Sequence, residues 1–480
     1  MEALKIERID PYRLKIFKTP PMRTWGIVYA NKVIEAGLEK DEALKQVANV
    51  ACLPGIIGPS IAMPDIHWGY GFPIGGVAAF SLQDGVISPG GVGYDINCGI
   101  RCICTGLSIE EILPIKEKLL GEVFHRVPAG LGARHKRFKL SQKELKEIMI
   151  KGALWAVKKG FGTYDDLEAH EDYGSIPGAD PDMVSGRACE RGLPEVGTLG
   201  SGNHFIEIDV VDKIMDKKIA RMFSLFKDQI LIQVHTGSRG FGHQICDDYI
   251  RIMLSAGSRY NIYLPDRQLA CAPIDTKEAK SYLGAMAAAA NFAFANREMI
   301  TYLIRETFED LFGKSWENLG LRLLYDCCHN IAKIESIPWK GKSIEACIHR
   351  KGATRALPSG DARLPLRFKD TGQPVLIPGD MGRASFILVA GDNAKETFFS
   401  ACHGAGRLLS RREAKRRAKG RSVFDELSKK EIYAIAASKA TLAEEMPESY
   451  KDVSDVVDTI SGAGVAKVIA KLRPIGMIKG

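Results

Sequence analysis

Gly90-Gly91-Val92-Gly93-Tyr94-Asp95-Ile96-Asn97-Cys98-Gly99-Ile100-Arg101 is the stretch from which the rest of the chain is read. Asp95 and Cys98 stand three residues apart among glycines, which let the backbone bend and approach a ligand with no Cβ in the way. A carboxylate oxygen and a thiolate sulfur together suit a borderline transition ion such as zinc, manganese or iron(II), whereas magnesium and calcium ask for oxygen ligands throughout. The competing reading is a cysteine that packs and an aspartate that caps a turn. Residues 100–105 then read as a strand, so the motif lies at a strand end, where glycine loops collect active sites.

The chain has 480 residues, 45% of them apolar, enough for a large core. No internal repeat and no Pro/Ser-rich linker divides it, which favours one domain over residues 1–480. The expected fold is α+β: a single large domain with mixed and antiparallel sheets surrounded by helices, the metal site at strand ends. The first residues carry charges where a signal peptide has its apolar segment, and the longest apolar run, residues 282–295, is too short to span a bilayer. Eleven cysteines without an export signal point to a reducing, cytoplasmic setting and argue against a disulfide framework. Cys102 and Cys104 alternate with Ile103 and are read as core. The net charge of +8 tilts the protein toward anionic partners, and two basic stretches, residues 134–139 and 411–421, sharpen that tilt; a solvated helix face is the plainer account of each.

Periodicity predicts strands over residues 25–30 and 61–63 around a helix at 39–51, then helices over 109–127 and 141–159. A polar loop follows at 165–182, then a short helix at 181–191. Further strands are expected over 205–211, 230–234 and 321–326, and a long helix over 277–312. Residues 63–76, dense in glycine and aromatic side chains, read as a functional loop.

Four of the ten histidines fall in glycine, asparagine or cysteine contexts next to strand-like segments: His204, His235, His329 and His403. Neutral imidazole is the commonest metal ligand, so His204, His235 and His329 joined to Asp95 and Cys98 would hold one ion, or two sharing the thiolate. A lone histidine beside a strand is more often an ordinary core or surface residue. His403 differs, because Gly404 and Gly406 clear its approach and Arg407 offers a phosphate-sized fork. Histidine is a competent covalent nucleophile toward phosphorus. The plain alternative is a helix N-terminus that holds an anion without chemistry.

These residues resemble the RtcB family of RNA-splicing ligases. The likeness rests on residues 63–76, 90–101, 200–204, 235–243, 349–355, 372–379, 402–407 and 473–476, in one order along almost the whole chain. It implies an RNA ligase that uses GTP and two Mn2+ ions to join a 2′,3′-cyclic phosphate or 3′-phosphate to a 5′-hydroxyl, as in tRNA splicing and RNA repair. Carried over by position, Asp95, Cys98, His204, His235 and His329 match the metal ligands and His403 the residue that takes GMP. Asn203, Glu207, Pro378, Gly379, Asp380, Met381, Ser385, Ala405, Gly406 and Lys479 match the guanylate site. Arg239, Arg350 and Arg407 are expected on RNA phosphates. RNA is thus the expected partner, with a small activator, archease, beside it and no membrane.

The chain departs from the family pattern in three places. Asp380 stands where a serine is expected, Arg383 adds a charge nearby, and Ile66 replaces a smaller glycine. A metal-dependent phosphodiesterase that opens cyclic phosphates would need the same ligands without His403 or Lys479. A nucleic-acid-binding protein with a degenerate site would need neither set.

Overall fold

In the computed structural model, which describes residues 4–38 and 42–480, strand Gly99–Ser108 continues directly from the glycine-rich stretch. It pairs antiparallel with Arg322–Cys328 on one side and Gln229–Thr236 on the other. The sheet runs on through Phe205–Ile214, Ala466–Lys479, Ser385–Ala390 and Pro374–Ile377, with Tyr433–Ala436 parallel beside Ala466–Lys479. A second sheet orders Ile6–Asp10, Arg13–Ile16, Gly26–Tyr29, Ile56–His67, Ile74–Ser81, Lys342–Lys351 and Asn330–Trp339. Its pairs are antiparallel except Gly26–Tyr29 with Ile56–His67. The α+β class with mixed sheets is thus as expected.

Strand periodicity decides what each face buries. Ile100, Cys102 and Cys104 point into the core between the two sheets, while Ile103 points the other way, among Ile300, Ile304 and Phe308 of the helix Lys277–Phe312. That helix spans the predicted residues, capped by the Thr276 hydroxyl and ended by Gly313 in the left-handed region. Its first half packs with Phe80 and Cys347 on the outer face of the second sheet, and its second half covers the first sheet.

Several expected elements are broken, each for a local reason. Pro114 lacks the N–H a helix needs, so residues 109–127 divide into Ile109–Ile112, a 3-10 turn and Lys116–Arg126. Gly152, with φ +56, splits 141–159 into Gln142–Lys151 and Ala153–Lys158. The polar loop holds a short helix, Tyr164–Glu168, capped by Thr163. The helix at 39–51 is Ala43–Val50, and the start given to it lies outside the described residues. Ile56–His67 carries strand into the first part of the supposed loop, as far as His67, and buries Ile66 fully in the inter-sheet core, so the Gly-to-Ile departure is a core residue. The hairpin Asn330–Trp339/Lys342–Lys351 and the helix Arg239–Arg259 were not anticipated.

One buried guanidinium ties these parts together. Arg297, from the middle of the long helix, donates to both Asp326 oxygens at 2.8 Å, to the carbonyls of Asn97 (2.9 Å) and Thr236 (3.0 Å), and to Asn97 Oδ1 (3.0 Å). Arg101 reaches the same carboxylate at 2.8 Å and Glu298 at 2.7 Å. Burial alone would raise the Asp326 carboxyl, but Arg297 and Arg101 hold it well below the usual carboxylate range. Removing one partner of such a fully buried pair leaves an uncompensated charge. Arg297→Met is therefore expected to lower the unfolding free energy by about 3–5 kcal/mol, measured by urea denaturation.

Candidate active site and metal centre

Strand register aligns the candidate ligands. Cys328 pairs with Gly99, Ile100 with His235, His235 with Phe205, and Phe205 with Lys479. His329, Cys98, His235 and His204 therefore occupy one end of four adjacent strands, although more than 200 residues separate the first and last of them in sequence. The motif is pinned there by backbone bonds: His329 N–H to Cys98 O at 2.9 Å and Asn97 N–H to Asn330 O at 2.8 Å. Asn97 adopts φ +51, and its side chain donates to Ala290 O at 2.7 Å.

The side chains converge. Cys98 Sγ lies 3.4 Å from both His204 Nε2 and His235 Nε2. His204 Nε2 is 2.8 Å from Asp95 Oδ2, and the Nε2 atoms of His235 and His329 are 3.1 Å apart. Two ligand groups result, Asp95–Cys98–His204 and Cys98–His235–His329, with Cys98 common to both. His235 Nδ1 faces the Asn203 carbonyl at 3.0 Å, which fixes the proton there and leaves the Nε2 lone pair pointing inward. Two inward lone pairs, a sulfur and a carboxylate are a donor set that a cation satisfies and water alone does not, so the residues fit a borderline divalent metal shared through the thiolate. Electrostatics agree with that fit. Burial holds His235 and His329 well below, and His204 below, the ordinary imidazole value, in the neutral form that ligates. Burial also pushes the Cys98 thiol up, so it ionises only with a compensating cation beside it. Burial opposes the Asp95 charge, yet His204 and the nearby His243 and Arg239 keep that carboxyl below its usual range.

His403 follows strand Ser400–Cys402, and its ring centroid is 4.7 Å from that of His329. Asp65 Oδ2 accepts both the His403 backbone N–H (3.0 Å) and its Nδ1–H (2.5 Å), leaving Nε2 as the ring atom with a free lone pair. Asp65 is the functional residue the sequence reading missed. The surrounding loop was noticed, but nothing local distinguishes this aspartate from a turn cap. Gly406, at φ +74, packs against Asp65, where a Cβ would come within 2.8 Å of its carbonyl carbon.

The ligands and His403 open on one cleft of about 1310 Å³. Asn203, Glu207, Pro378, Gly379, Asp380, Met381, Ala405, Gly406 and Lys479 all line it. Ser385 stands behind that wall, buried, donating to Glu207 Oε1 at 3.3 Å. Burial and the neighbouring Asp209 raise the Glu207 carboxyl well above its ordinary value. Lys479 lies over the Phe205 ring, its ammonium lowered by burial and supported by Glu445 and Glu207. The two departures near that wall answer one another: Arg383 sits 3.1 Å from Asp380 Oδ2, an ion pair whose alignment falls short of a hydrogen bond. Burial nevertheless raises Asp380 to about 6.

The three arginines diverge. Arg239 lines the cleft 3.3 Å from His204 Nδ1. Arg407 also lines it but is engaged by Glu445 at 2.9 Å and by the Glu444 carbonyl at 2.8 Å. Arg350 does not reach the cleft: it is fully buried, bonded to Glu335, Ser400 and the Phe398 carbonyl, and so ties strands together. On the basic helix, Arg411–Ala418, Arg416 and Arg417 both pair with Glu413, and Lys415 pairs with Glu444. Lys351 also lines the cleft, donating to the Phe72 carbonyl at 3.1 Å and lowered by burial to about 7.

Comparison with known proteins agrees with the geometry. A family model described as "tRNA-splicing ligase RtcB" matches residues 46–480. Proteins named tRNA-splicing ligase RtcB from Thermococcus kodakarensis and Archaeoglobus fulgidus are 49% and 48% identical, each over 100% of both chains. An RNA-splicing ligase RtcB from Mycobacterium tuberculosis is 47% identical over 91% of this chain and 100% of its own.

Gly237 gives a direct check on the metal centre. A Cβ there would stand 2.6 and 2.7 Å from the Asp95 oxygens and 2.7 Å from Cys98 Cα. Gly237→Ala is expected to weaken divalent metal binding roughly 10- to 100-fold by displacing both ligands at once, read by competition with a chromophoric chelator. Cys98→Ser, which removes the shared sulfur, is expected to lower the number of ions held per chain, read by elemental analysis.

Proposed function

Because the chain belongs to the RtcB family of tRNA-splicing ligases, we propose that it is a GTP- and manganese-dependent RNA ligase. In this reading it joins a 2′,3′-cyclic phosphate or 3′-phosphate end to a 5′-hydroxyl end, in tRNA splicing and RNA repair. The observation that carries the reading is the clamp on His403. Asp65 holds the Nδ1 proton, so Nε2 is a ready nucleophile, and it stands beside a metal-ligand cluster. A phosphodiesterase that only opens cyclic phosphates would not need His403 as a covalent nucleophile.

Asp95, Cys98, His204, His235 and His329 would hold two manganese ions, which when bound supply Lewis-acid charge for phosphate oxygens. His403 Nε2 attacks the α-phosphorus of GTP; a P–N bond forms, the bond to pyrophosphate breaks, and Asp65 stabilises the charge on the ring. Asn203, Glu207 and Lys479 hold the guanylate, with Ser385 orienting Glu207 and the Asp380–Arg383 pair bounding the wall. A cyclic phosphate opens when water adds to phosphorus and the P–O2′ bond breaks, giving a 2′-hydroxyl and a 3′-phosphate. An oxygen of that 3′-phosphate takes the GMP, the P–N bond breaks and His403 recovers its lone pair. The 5′-hydroxyl of the second RNA then attacks the activated 3′-phosphorus, loses its proton and expels GMP. Arg239 and Arg407 orient RNA phosphates along the way. Residues 1–480 act as one catalytic unit in the cytoplasm, with a small archease-like activator as partner.

Incubation with α-labelled GTP and manganese is expected to leave an acid-labile label on the denatured wild type and none on His403→Ala. Asp65→Asn, which withdraws the carboxylate from Nδ1, is expected to slow labelling roughly 100-fold. Cyclic-phosphate opening by an unlabelled wild type would point to the phosphodiesterase and end the ligase reading.

A further inference from the structure

One stretch of the cleft is left unused by the mechanism. Tyr70, Tyr94 and His243 line it together. Tyr70 and Tyr94 meet edge to face with ring centroids 5.4 Å apart at 71°, and Tyr94 is tilted 37° from His243 at 6.0 Å. Rings that merely sealed the interior would belong to one of its apolar clusters. Tyr249 and Tyr282 do, but neither Tyr70 nor Tyr94 is part of one, and His243 is exposed. The segment carrying Tyr70 is held from beneath by the Lys351 ammonium, which donates to the Tyr70 and Phe72 carbonyls. Tyr94 immediately precedes the metal ligand Asp95.

The same part of the cleft carries unspent positive charge. Arg187 and Arg191 lie four residues apart on the helix Gly186–Gly192, both exposed and both facing the cleft. Arg134 joins them from the first basic stretch, and neither Arg134 nor Arg187 makes an ion pair with a described residue. Glu190 offsets part of this charge. The second basic stretch is different, because its helix spends much of its charge on Glu413 and Glu444. Arg191 is partly engaged, donating to Gln244 Oε1 at 3.3 Å and facing Glu195, which leaves Arg134 and Arg187 as the unpaired cations. Aromatic faces beside such guanidinium groups are the means by which proteins grip single-stranded nucleic acid irrespective of sequence, since every base has a π-face.

We propose that Tyr94, braced by Tyr70 and extended by His243, is the stacking platform for the terminal base of an RNA end, with Arg134, Arg187 and Arg191 along the phosphates that lead away from it. This rests on the ligase reading and adds to it a base-tolerant subsite beside the metal centre. Junctions of different sequence would then be held with similar strength, because nothing in this subsite reads a base edge.

The test uses the full chain and a single-stranded oligoribonucleotide of about ten nucleotides with 2-aminopurine at its end. Binding to the wild type is expected to quench the fluorophore, as stacking does. Tyr94→Leu is expected to lose the quench and bind roughly tenfold more weakly, while Tyr94→Phe keeps both. An oligonucleotide with an abasic end is expected to bind wild type and Tyr94→Leu alike. Arg187→Gln is expected to lower the salt slope of binding by about one. Unchanged quenching in Tyr94→Leu, or equal weakening for the abasic end, overturns the platform. Labelling with α-labelled GTP in the same preparations separates the two readings. A labelled wild type that never quenches the fluorophore overturns the platform alone, whereas an unlabelled wild type overturns the ligase reading and this inference with it.

Discussion

The buried contact between Arg297 and Asp326 is the constraint on which the arrangement of the site depends. Arg297 comes from the longest helix, Asp326 from an edge strand, and the same guanidinium holds the carbonyls of Asn97 and Thr236, which flank the ligands Cys98 and His235. A charge in so dry a place is costly unless each of its donors is met, and here they are met by groups from three separate segments. The glycine-rich motif is therefore not shaped by its glycines alone. Those residues permit the bend, and the guanidinium beneath selects one bend out of many.

The site itself divides its labour between neutral and charged groups. Burial keeps the three imidazole ligands neutral and their lone pairs free, while the one carboxylate ligand stays ionised through its contact with His204. The His403 ring is governed separately, by Asp65, from the strand Ile56–His67 of the other sheet. In the proposed reaction that separate control would let a metal be held and a phosphorus be attacked in one cleft without one function consuming the groups of the other.

Much of this was legible in the sequence, for reasons that can be named. Side-chain alternation disclosed the two-faced strand around Cys102 and Cys104, and a long helical pattern disclosed Lys277–Phe312, whose ends Thr276 and Gly313 fix in the structure. The candidate histidines stood out because they end strand-like segments in glycine, asparagine or cysteine contexts, and the structure brings His204, His235 and His329 together with Asp95 and Cys98. What escaped was long-range. Asp65 looks like any turn aspartate until strand pairing brings it under His403, and Arg350 looks like a phosphate ligand until its burial against Glu335 is seen. The Asp380–Arg383 pairing was hidden too, since two departures three residues apart reveal their mutual compensation only when the turn between them closes.

His329 occupies the single-residue step by which the chain leaves Arg322–Cys328 in one sheet and enters Asn330–Trp339 in the other. Asp65 belongs to that second sheet and holds His403, which follows a separate two-stranded sheet of Ala353–Arg355 and Ser400–Cys402, whereas Cys98, His204 and His235 ride on the first. The cleft is thus a seam between two slabs with His329 at the step, and an ion held by His329 together with Cys98 and His235 would act there as a rivet. Ion capture and alignment of the slabs would then be the same event, with part of the binding free energy spent on the alignment.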